Sequence, residues 1–417
     1  MVTSGYRKKE DDVMNLRENF LYIGMDLHKS SHTAVLVNCW NEKLETIEIE
    51  NKPSEFSKLE KRVSKKAMKL GLKPIYGLEN AYGYGRALAV WLIEKGYTVK
   101  DINPALAYDQ RKSAPTFKKN DEYDAYCVAT VMINQLNALP DAKPEDNHWT
   151  LAQLVNRRDT LINDGIRLKN GLHEQVSKAY PSYRKFFCEI DRKTALYFWK
   201  TYPSPKYLVN KSANELYSEF KSIAGNIALN KAELILDCIQ NDGDTHREFQ
   251  DSRDFITQSL VRDLEHQVVE LAQIESEIEK ILDTFDMKLT TIPGVGTAIA
   301  SKLIAEIGDI RRFPNADKLA RFAGIAPIRF SSGGKGKEES SKQGNRELHG
   351  LFYFLVVSMV CCHHGKPNQP VFYAYYCRKI SEGKTKSQAL VCIMRRLVNI
   401  VYGMMKNKTE YRPYVMD

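Results

Sequence analysis

Four acidic side chains are spaced so that they could act together on a phosphodiester. Asp26 lies inside the apolar segment YIGMDLHK, where a carboxylate loses solvation unless a positive group pairs with it. Glu79 ends another apolar segment, and Asp121 and Asp124 stand three residues apart at the start of a helical pattern, hence on one helical face. Singly, such acids are usually helix caps or surface groups. As a set they predict a site for divalent cations, normally two Mg²⁺ ions, which stabilise the attacking and leaving oxygens of a phosphodiester.

A second candidate site lies in the segment FSSGGKGKEESSKQGNRE. Ser331 and Ser332 stand directly before two glycines. Four cationic residues follow, namely Lys335, Lys337, Lys342 and Arg346. A hydroxyl on a glycine-rich loop among cations could attack a phosphate as a nucleophile. A flexible linker made soluble by its lysines would have the same composition, and these residues alone leave both interpretations open.

A third motif, PGVG, opens the segment IPGVGTAIASKLIAEIGDIRRF and has the composition of the turn in a helix-hairpin-helix. Gly294 and Gly296 would let backbone N–H groups approach a phosphate, and the N-terminus of the following helix favours an anion. A plain turn between two helices fits the motif equally well.

Positive charge is concentrated in the C-terminal third of the chain. Residues 290–417 contain 20 Lys and Arg against 9 Asp and Glu, a net +11, whereas the full chain, with 61 basic and 52 acidic residues, carries +9. The rest of the chain is therefore close to neutral, at 41 minus 43. A basic region of this kind favours a polyanionic partner, although a solvated basic surface has the same signature.

The elements that would position the four acids follow an informative order. Three strand patterns, LYIGMDLHK, HTAVLVNCW and LETIEIE, come first. Then follow a helix over 53–70, a strand in PIYGLEN, a helix over 84–95, a strand in YTVKDIN and a helix from about Glu122. This order predicts a ribonuclease H-like α/β fold, in which the first and fourth strands are neighbours and the last helix crosses their ends. The topology would bring the four acids together.

The remainder is predicted to be mainly helical. Leucines repeat every seven residues from 154 to 168, and a second apolar repeat spans 260–281, so two long helices should form a coiled-coil seam, weakened by glycines in the first. Residues 331–345 should form a flexible loop. We expect an N-terminal arm over 1–19, the acidic domain over 20–140, a coiled-coil region over 149–285 with an insertion at 182–250, and a C-terminal domain over 286–417.

Composition excludes several other classes of protein. The chain has 417 residues, enough for two or three domains, and no run of 18 apolar residues that would cross a membrane. The segment MVTSGYRKKEDDVMN lacks the apolar core of a signal peptide, and the eight cysteines include no CxxC pair. We therefore expect a cytoplasmic protein with no membrane partner and no disulfide framework.

A series of motifs resembles the DEDD transposases of the insertion sequence 110 type, whose relatives include site-specific DNA invertases. In chain order they are GMDLHK, ENAYGYG, INPALAY with KNDEYDA, PGVGTAIA with AEIGDIRRF, AGIAPIRFSSGGK and SKQGNRELH. The similarity covers about residues 20–135 and 285–405. Asn120 and Tyr123 depart from the residues usual at their positions.

The resemblance implies a RuvC-like N-terminal domain, a coiled-coil bridge and a C-terminal domain that carries a nucleophilic serine. It implies that the four acids bind Mg²⁺ and that Ser332, directly before the glycines, is the nucleophile, with Ser331 as the reserve. It also implies donor and target DNA as substrates, and a structured bridge RNA whose loops pair with both. The protein would work as a homodimer, assembled as a dimer of dimers, with sites composed from different protomers.

Two other functions are compatible with the residues. A metal-dependent structure-specific endonuclease, of the Holliday-junction type, would use the four acids to activate water and the serine loop only for binding. A non-catalytic nucleic-acid-binding regulator is the second alternative, but it would have no use for clustered carboxylates that are unfavourable to bury.

Overall fold

The computed structural model describes residues 17–79, 83–113, 120–143, 145–225, 228–326, 328–332, 335–339 and 344–413, with the backbone alone for 328–332 and 335–339. The chain divides into two compact units, Met1–Asp146 and Asn147–Asp417. The first unit contains a five-stranded sheet, and the second is mainly helical. Within the described residues, no helix combines the length and the apolar character needed to cross a membrane.

The sheet of the first unit has the topology that the sequence predicted. Its strands are β1 (Phe20–Leu27), β2 (Ser31–Val37), β3 (Lys43–Glu50), β4 (Lys73–Glu79) and β5 (Thr98–Ile102). Their spatial order is β3-β2-β1-β4-β5. The first three strands pair antiparallel, whereas β4 pairs parallel with both β1 and β5. The prediction of a mixed α/β architecture that fits a ribonuclease H-like domain is thus confirmed.

Four helices of the first unit supply apolar side chains to the two faces of this sheet. They are α1 (Pro53–Leu70), α2 (Arg86–Glu94), α3 (Pro104–Lys112) and α4 (Asp121–Gln135). Leu21 and Ile23 of β1 lie in one apolar cluster with α1 and α2, whereas Tyr22 lies in a second cluster with α3 and α4. Both faces of β1 are therefore buried, which explains its nearly continuous apolar sequence.

A pair of glycines lets helix α4 approach the sheet very closely. Gly24 of β1 lies beside Gly77 of β4 in the parallel register. A Cβ atom built on Gly24 would lie 2.1 Å from the carbonyl oxygen of Ala125 in α4. The missing side chain therefore sets the distance between α4 and β1. It also positions Asp26 and Asp124, which stand next to this contact in the sequence.

We expect Gly24→Ala to lower the free energy of unfolding of the first unit by about 2–3 kcal/mol. The added methyl group would overlap the backbone of α4, and only a shift of that helix could relieve the overlap. Chemical denaturation followed by circular dichroism would measure the change. Gly350→Ala, in a helix of the second unit, is a matched control, since a Cβ there meets nothing within 4 Å and alanine favours a helix. Similar losses in both variants would contradict the explanation by close approach.

Five helices open the second unit: α5 (Asn147–Ala179), α6 (Lys193–Thr201), α7 (Ala213–Ile223), α8 (Leu229–Asp242) and α9 (Gln250–Asp283). The two long helices, α5 and α9, lie antiparallel. Arg158 Nη2 is 2.7 Å from Glu275 Oε1, and Gln267 Nε2 donates a hydrogen bond to the Leu161 carbonyl. A Cβ on Gly165 would lie 2.2 Å from Gln267 Nε2. The glycine that weakens an isolated α5 thus makes room for its partner helix.

An aromatic core joins α6, α7 and α8 to one end of this helix pair. Its largest buried members are Tyr180, Phe186, Phe198, Trp199 and Phe220. Leu172 of α5 and Leu264 of α9 belong to the same cluster. The segment between the long helices therefore shares a substantial apolar core with one end of the helix pair.

The rest of the second unit combines helices with two small hairpins. The helices are α10 (Thr297–Ile307), α11 (Ala316–Phe322), α12 (Arg346–Val360), α13 (Pro370–Ser381) and α14 (Lys386–Asn407). The hairpins pair β6 (Ile328–Ser332) with β7 (Lys335–Glu339) and β8 (Cys362–His363) with β9 (Lys366–Pro367). The predicted loop over 331–345 is wrong for the part that belongs to β6 and β7. In a sequence, a pair of glycines between two possible strands is a signal for a hairpin, and the glycine-rich composition of this segment concealed it.

Candidate active site

The four predicted acids lie where the carboxyl ends of β1 and β4 meet the start of α4. Asp26 is the last residue but one of β1, and Glu79 ends the neighbouring parallel strand. Asp121 begins α4 and Asp124 follows one turn later, with Asn120 capping this helix through its side chain. Two acids of the sheet and two of the helix therefore share one edge of the domain.

The imidazole of His28 bridges two of these acids. Its Nε2 lies 3.1 Å from Asp26 Oδ2 and 3.4 Å from Asp121 Oδ1. Burial lowers the pKa of His28, but the two carboxylates outweigh this effect and raise the pKa above its usual value. One donor atom from each of the three residues lies within 4.8 Å of the other two, so together they could hold a metal ion.

The guanidinium of Arg111 bridges the other two acids. Its Nη1 donates a hydrogen bond to Glu79 Oε2 at 3.2 Å and lies 3.7 Å from Asp124 Oδ1. All three side chains are only 16% exposed, so their charges are poorly screened by water. Each of the two basic side chains, His28 and Arg111, thus joins one acid of the sheet to one acid of α4.

Asp26 is the most shielded of the four acids, with a side chain 13% exposed. Burial raises the pKa of its carboxyl; His28 opposes this effect, and the other three acids raise the pKa further. Asp26 Oδ2 and Asp124 Oδ1 are buried and, within the part of the chain that the structure describes, face His28 and Arg111 without making a hydrogen bond of good geometry. Buried carboxylate oxygens without hydrogen bonds, inside an acidic cluster, are suited to bind a cation.

The donor set fits a hard divalent cation. Carboxylate oxygens are the side-chain ligands that Mg²⁺ prefers, whereas an imidazole nitrogen suits softer metals. The acids, rather than His28, would therefore be the ligands of Mg²⁺. The described residues contain a possible acidic metal site at this edge of the sheet.

The structure describes only part of the predicted serine site. The register of β6 and β7 pairs Ser332 with Lys335 and Ser331 with Gly336. Because successive residues of a strand alternate between its faces, Ser332 and Lys335 occupy positions on one face of the hairpin and Ser331 a position on the other. Lys342 lies outside the described residues.

The other predicted nucleic-acid contacts are spread over separate elements of the second unit. Lys337 follows Lys335 by two positions in β7 and so shares its face. Gly294 has a φ of +86°, in the left-handed region, and Gly296 is the N-cap of α10. Arg346 begins α12 and is exposed. The structure places these residues in the second unit and the four acids in the first.

Sequence reasoning missed both His28 and Arg111. His28 could have been found, because it follows Asp26 by two residues and so continues the same side of the strand. Arg111 gave no such signal. It lies on α3, and its approach to Glu79 depends on how that helix packs rather than on any spacing in the sequence.

The order of the strands and the acids at their edge define a ribonuclease H-like domain with a DEDD set, followed by a mainly helical unit. A family model described as Transposase, for DEDD proteins of the IS110 type, matches residues 23–181. A second, described as Transposase IS116/IS110/IS902 family, matches residues 286–377. The chain belongs to this family of insertion-sequence transposases, and it is an enzyme of DNA strand transfer.

Two curated relatives align with most of the chain, and a third aligns with one segment of it. An uncharacterized 44.8 kDa protein of insertion element IS116 from Streptomyces clavuligerus is 24% identical over 96% of this chain and 98% of its own length. A pilin gene-inverting protein from Moraxella bovis is 25% identical over 94% of this chain and 97% of its own. The transposase of insertion sequence element IS1328 from Yersinia enterocolitica is 33% identical over 20% of this chain and 25% of its own.

Proposed function

We propose that the chain exchanges DNA strands through a covalent serine–phosphate intermediate, as the transposase of an insertion sequence. Ser332 is the nucleophile, and the four acids bind Mg²⁺, as two ions. The observation that carries the proposal is the convergence of the acids around His28 and Arg111 at one edge of the sheet. The transposase family supports strand exchange as the use of this site.

The acids would hold Mg²⁺, which when bound supplies positive charge to the attacking and leaving oxygens of a phosphodiester. The Ser332 hydroxyl attacks phosphorus, so that an Oγ–P bond forms while the bond from phosphorus to one deoxyribose oxygen breaks. A carboxylate of the acid set accepts the serine proton, and the departing oxygen takes a proton from water. A hydroxyl of a second DNA end then attacks the same phosphorus and releases the serine, so the number of phosphodiester bonds is conserved.

The hairpin register favours Ser332 over Ser331. Ser332 shares a face with Lys335 and Lys337, whose charges would offset the charge that develops on the phosphate. Two glycines follow Ser332 in the sequence, and residues without side chains leave room for a DNA phosphate. Ser331 occupies the opposite face, across from Gly336.

The basic C-terminal region would bind nucleic acid. The PGVG turn before α10 acts as a helix-hairpin-helix contact in this proposal, with backbone N–H groups directed at a phosphate. The four cations Lys335, Lys337, Lys342 and Arg346 would contact phosphates beside the serine.

We expect the affinity of the full chain for duplex DNA to fall roughly tenfold or more between 50 and 200 mM salt, because several phosphate contacts release counterions. Fluorescence anisotropy over a salt series would measure the slope. Arg346→Gln should reduce the magnitude of the log–log slope by about one if Arg346 contacts a phosphate. A salt-independent affinity would contradict phosphate binding by this region.

Three further points complete the proposal. The chain binds a structured bridge RNA, it forms a homodimer that assembles as a dimer of dimers, and it is located in the cytoplasm. The resemblance of the motifs supports the RNA. The length of α5 and α9 supports a coiled-coil contact between copies, and Val268 and Val269 of α9 offer exposed apolar surface for it, at 60% and 53%.

Strand exchange in a purified system tests the proposed function. Joined donor and target strands should form when the protein is mixed with Mg²⁺, the donor and target duplexes, and the RNA transcribed beside the gene. A structure-specific endonuclease that activates water would cut these duplexes without joining them. Cleavage without any joined product would favour that endonuclease over the recombinase.

A further inference from the structure

Arg111 holds a position that neither the sequence motifs nor the proposed chemistry requires. Its guanidinium donates to Glu79 and lies within ion-pair distance of Asp124, and its own side chain is as shielded as those of both acids. The residue is carried by α3, whose start is fixed by Pro104 and by the side chain of Asn103, which accepts a hydrogen bond from the Ala105 N–H. The cation is therefore delivered to the acids by an ordered helix rather than by a surface loop.

The two acids need a positive charge whenever they are ionised. Shielded carboxylates repel each other and lose solvation, and a planar guanidinium can compensate two of them at once. A divalent cation held by Glu79 and Asp124 would bind the two carboxylates that Arg111 already contacts, at Oε2 and Oδ1, and it would be repelled by the guanidinium charge. Arg111 and such a cation must therefore compete for this half of the site.

We infer that Arg111 is the counter-cation of the metal-free site. It neutralises Glu79 and Asp124 when no divalent ion is bound, and it lowers the affinity of these two acids for such an ion. The inference rests on the proposed function in one respect, namely that the acid set binds a divalent cation.

The two halves of the acid set should consequently bind cations unequally. On the other side, Asp26 and Asp121 face His28, whose side chain is half exposed and can turn toward solvent. Arg111 is only 16% exposed, and its positive charge has to leave a shielded position before a second cation can enter. The first divalent ion should therefore enter beside Asp26, and the second should bind Glu79 and Asp124 more weakly.

Titration of the full, metal-free chain with Mn²⁺ tests this inference by calorimetry, without any measurement of activity. Arg111→Gln should tighten the weaker site by roughly tenfold, because a neutral and shorter polar side chain no longer competes. Arg111→Lys keeps the charge but lacks the planar fork, so its Mn²⁺ affinity should lie between those of the wild type and Arg111→Gln. The metal-free Arg111→Gln chain should also melt at a lower temperature, and saturating Mn²⁺ should restore its Tm.

Arg158→Gln is the matched control. Arg158 is 15% exposed and pairs with Glu275 in the second unit, so its loss removes a comparable ion pair without touching the acids. Its Mn²⁺ affinity should equal that of the wild type. If Arg111→Gln does not fold, Arg111→Lys alone should still bind Mn²⁺ more tightly than the wild type.

The outcomes separate this inference from the proposed function. If the wild-type chain binds Mn²⁺ and the Arg111 variants bind it equally or more weakly, the role of Arg111 is wrong, whereas the metal site is still supported. If neither the wild-type chain nor Asp26→Asn binds Mn²⁺, both the metal site and the role of Arg111 as its counter-cation are wrong.

Discussion

Asp26→Asn is expected to reduce DNA strand cleavage by roughly 10³-fold or more, because the substitution removes a charged metal ligand without changing the size of the side chain. Asp124→Asn should have a similar effect, since its Oδ1 is also buried and without a hydrogen bond among the described residues. Cleavage of end-labelled donor duplex in Mg²⁺ would measure both variants. Binding of DNA and RNA should be unchanged, because neither carboxylate would contact nucleic acid directly.

Thermal stability distinguishes the loss of cleavage in Asp26→Asn from a simple loss of the folded state. The pKa of Asp26 is raised, which means that the folded state disfavours its charged form. Removing that charge should therefore leave the Tm of metal-free Asp26→Asn equal to or above that of the wild type. Asp141→Asn, at an exposed acid paired with Lys100 in the same unit, is the control and should cleave normally. Normal cleavage by Asp26→Asn would exclude the proposed metal site.

Ser332→Ala is expected to abolish both strand exchange and the covalent protein–DNA species, because no other atom of the side chain can attack phosphorus. Denaturing gels of labelled DNA after reaction would detect the covalent species. Ser331→Ala should retain activity, since Ser331 stands on the other face of the hairpin. Full activity of Ser332→Ala with a dead Ser331→Ala would assign the nucleophile to Ser331. Continued cutting by Ser332→Ala would instead support the endonuclease that uses water.

Mixing the two inactive proteins tests whether the acids and the serine of one reaction come from different copies. Ser332→Ala and Asp26→Asn each retain the half of the site that the other lacks. Partial recombination by the mixture would show a composite site. Absence of rescue, with both variants folded and assembled, would mean that the site forms within one chain.

The sheet and the positions of the acids were predictable because local patterns determine them. Carboxylates are rare in apolar strands, so Asp26 stands out as soon as β1 is recognised, and the strand order then places Glu79 beside it. The position of Arg111, in contrast, depends on tertiary packing. Arg111 reaches Glu79 from α3, and no periodicity in the sequence relates these two residues.

Glycines were the least predictable residues, because composition does not reveal what surrounds them. In isolation Gly165 weakens a helix, yet its missing side chain accommodates Gln267 of the partner helix. The glycine-rich segment after Phe330 was predicted as a loop, whereas the backbone on both sides of Gly333 and Gly334 pairs as β6 and β7. Tertiary contacts and strand pairing thus override the local preference in both places.

The long helix pair joins residues that are far apart in the chain: Arg158 and Glu275 are separated by 117 positions. Closing an unstructured loop of that length is slow and entropically unfavourable. The aromatic core of α6, α7 and α8 offers a shorter route, because it also contains Leu172 of α5 and Leu264 of α9. Once this core has formed, successive turns of the two helices meet across short distances. We therefore expect the pair to close progressively outward from the core, with the contact between Arg158 and Glu275 forming late.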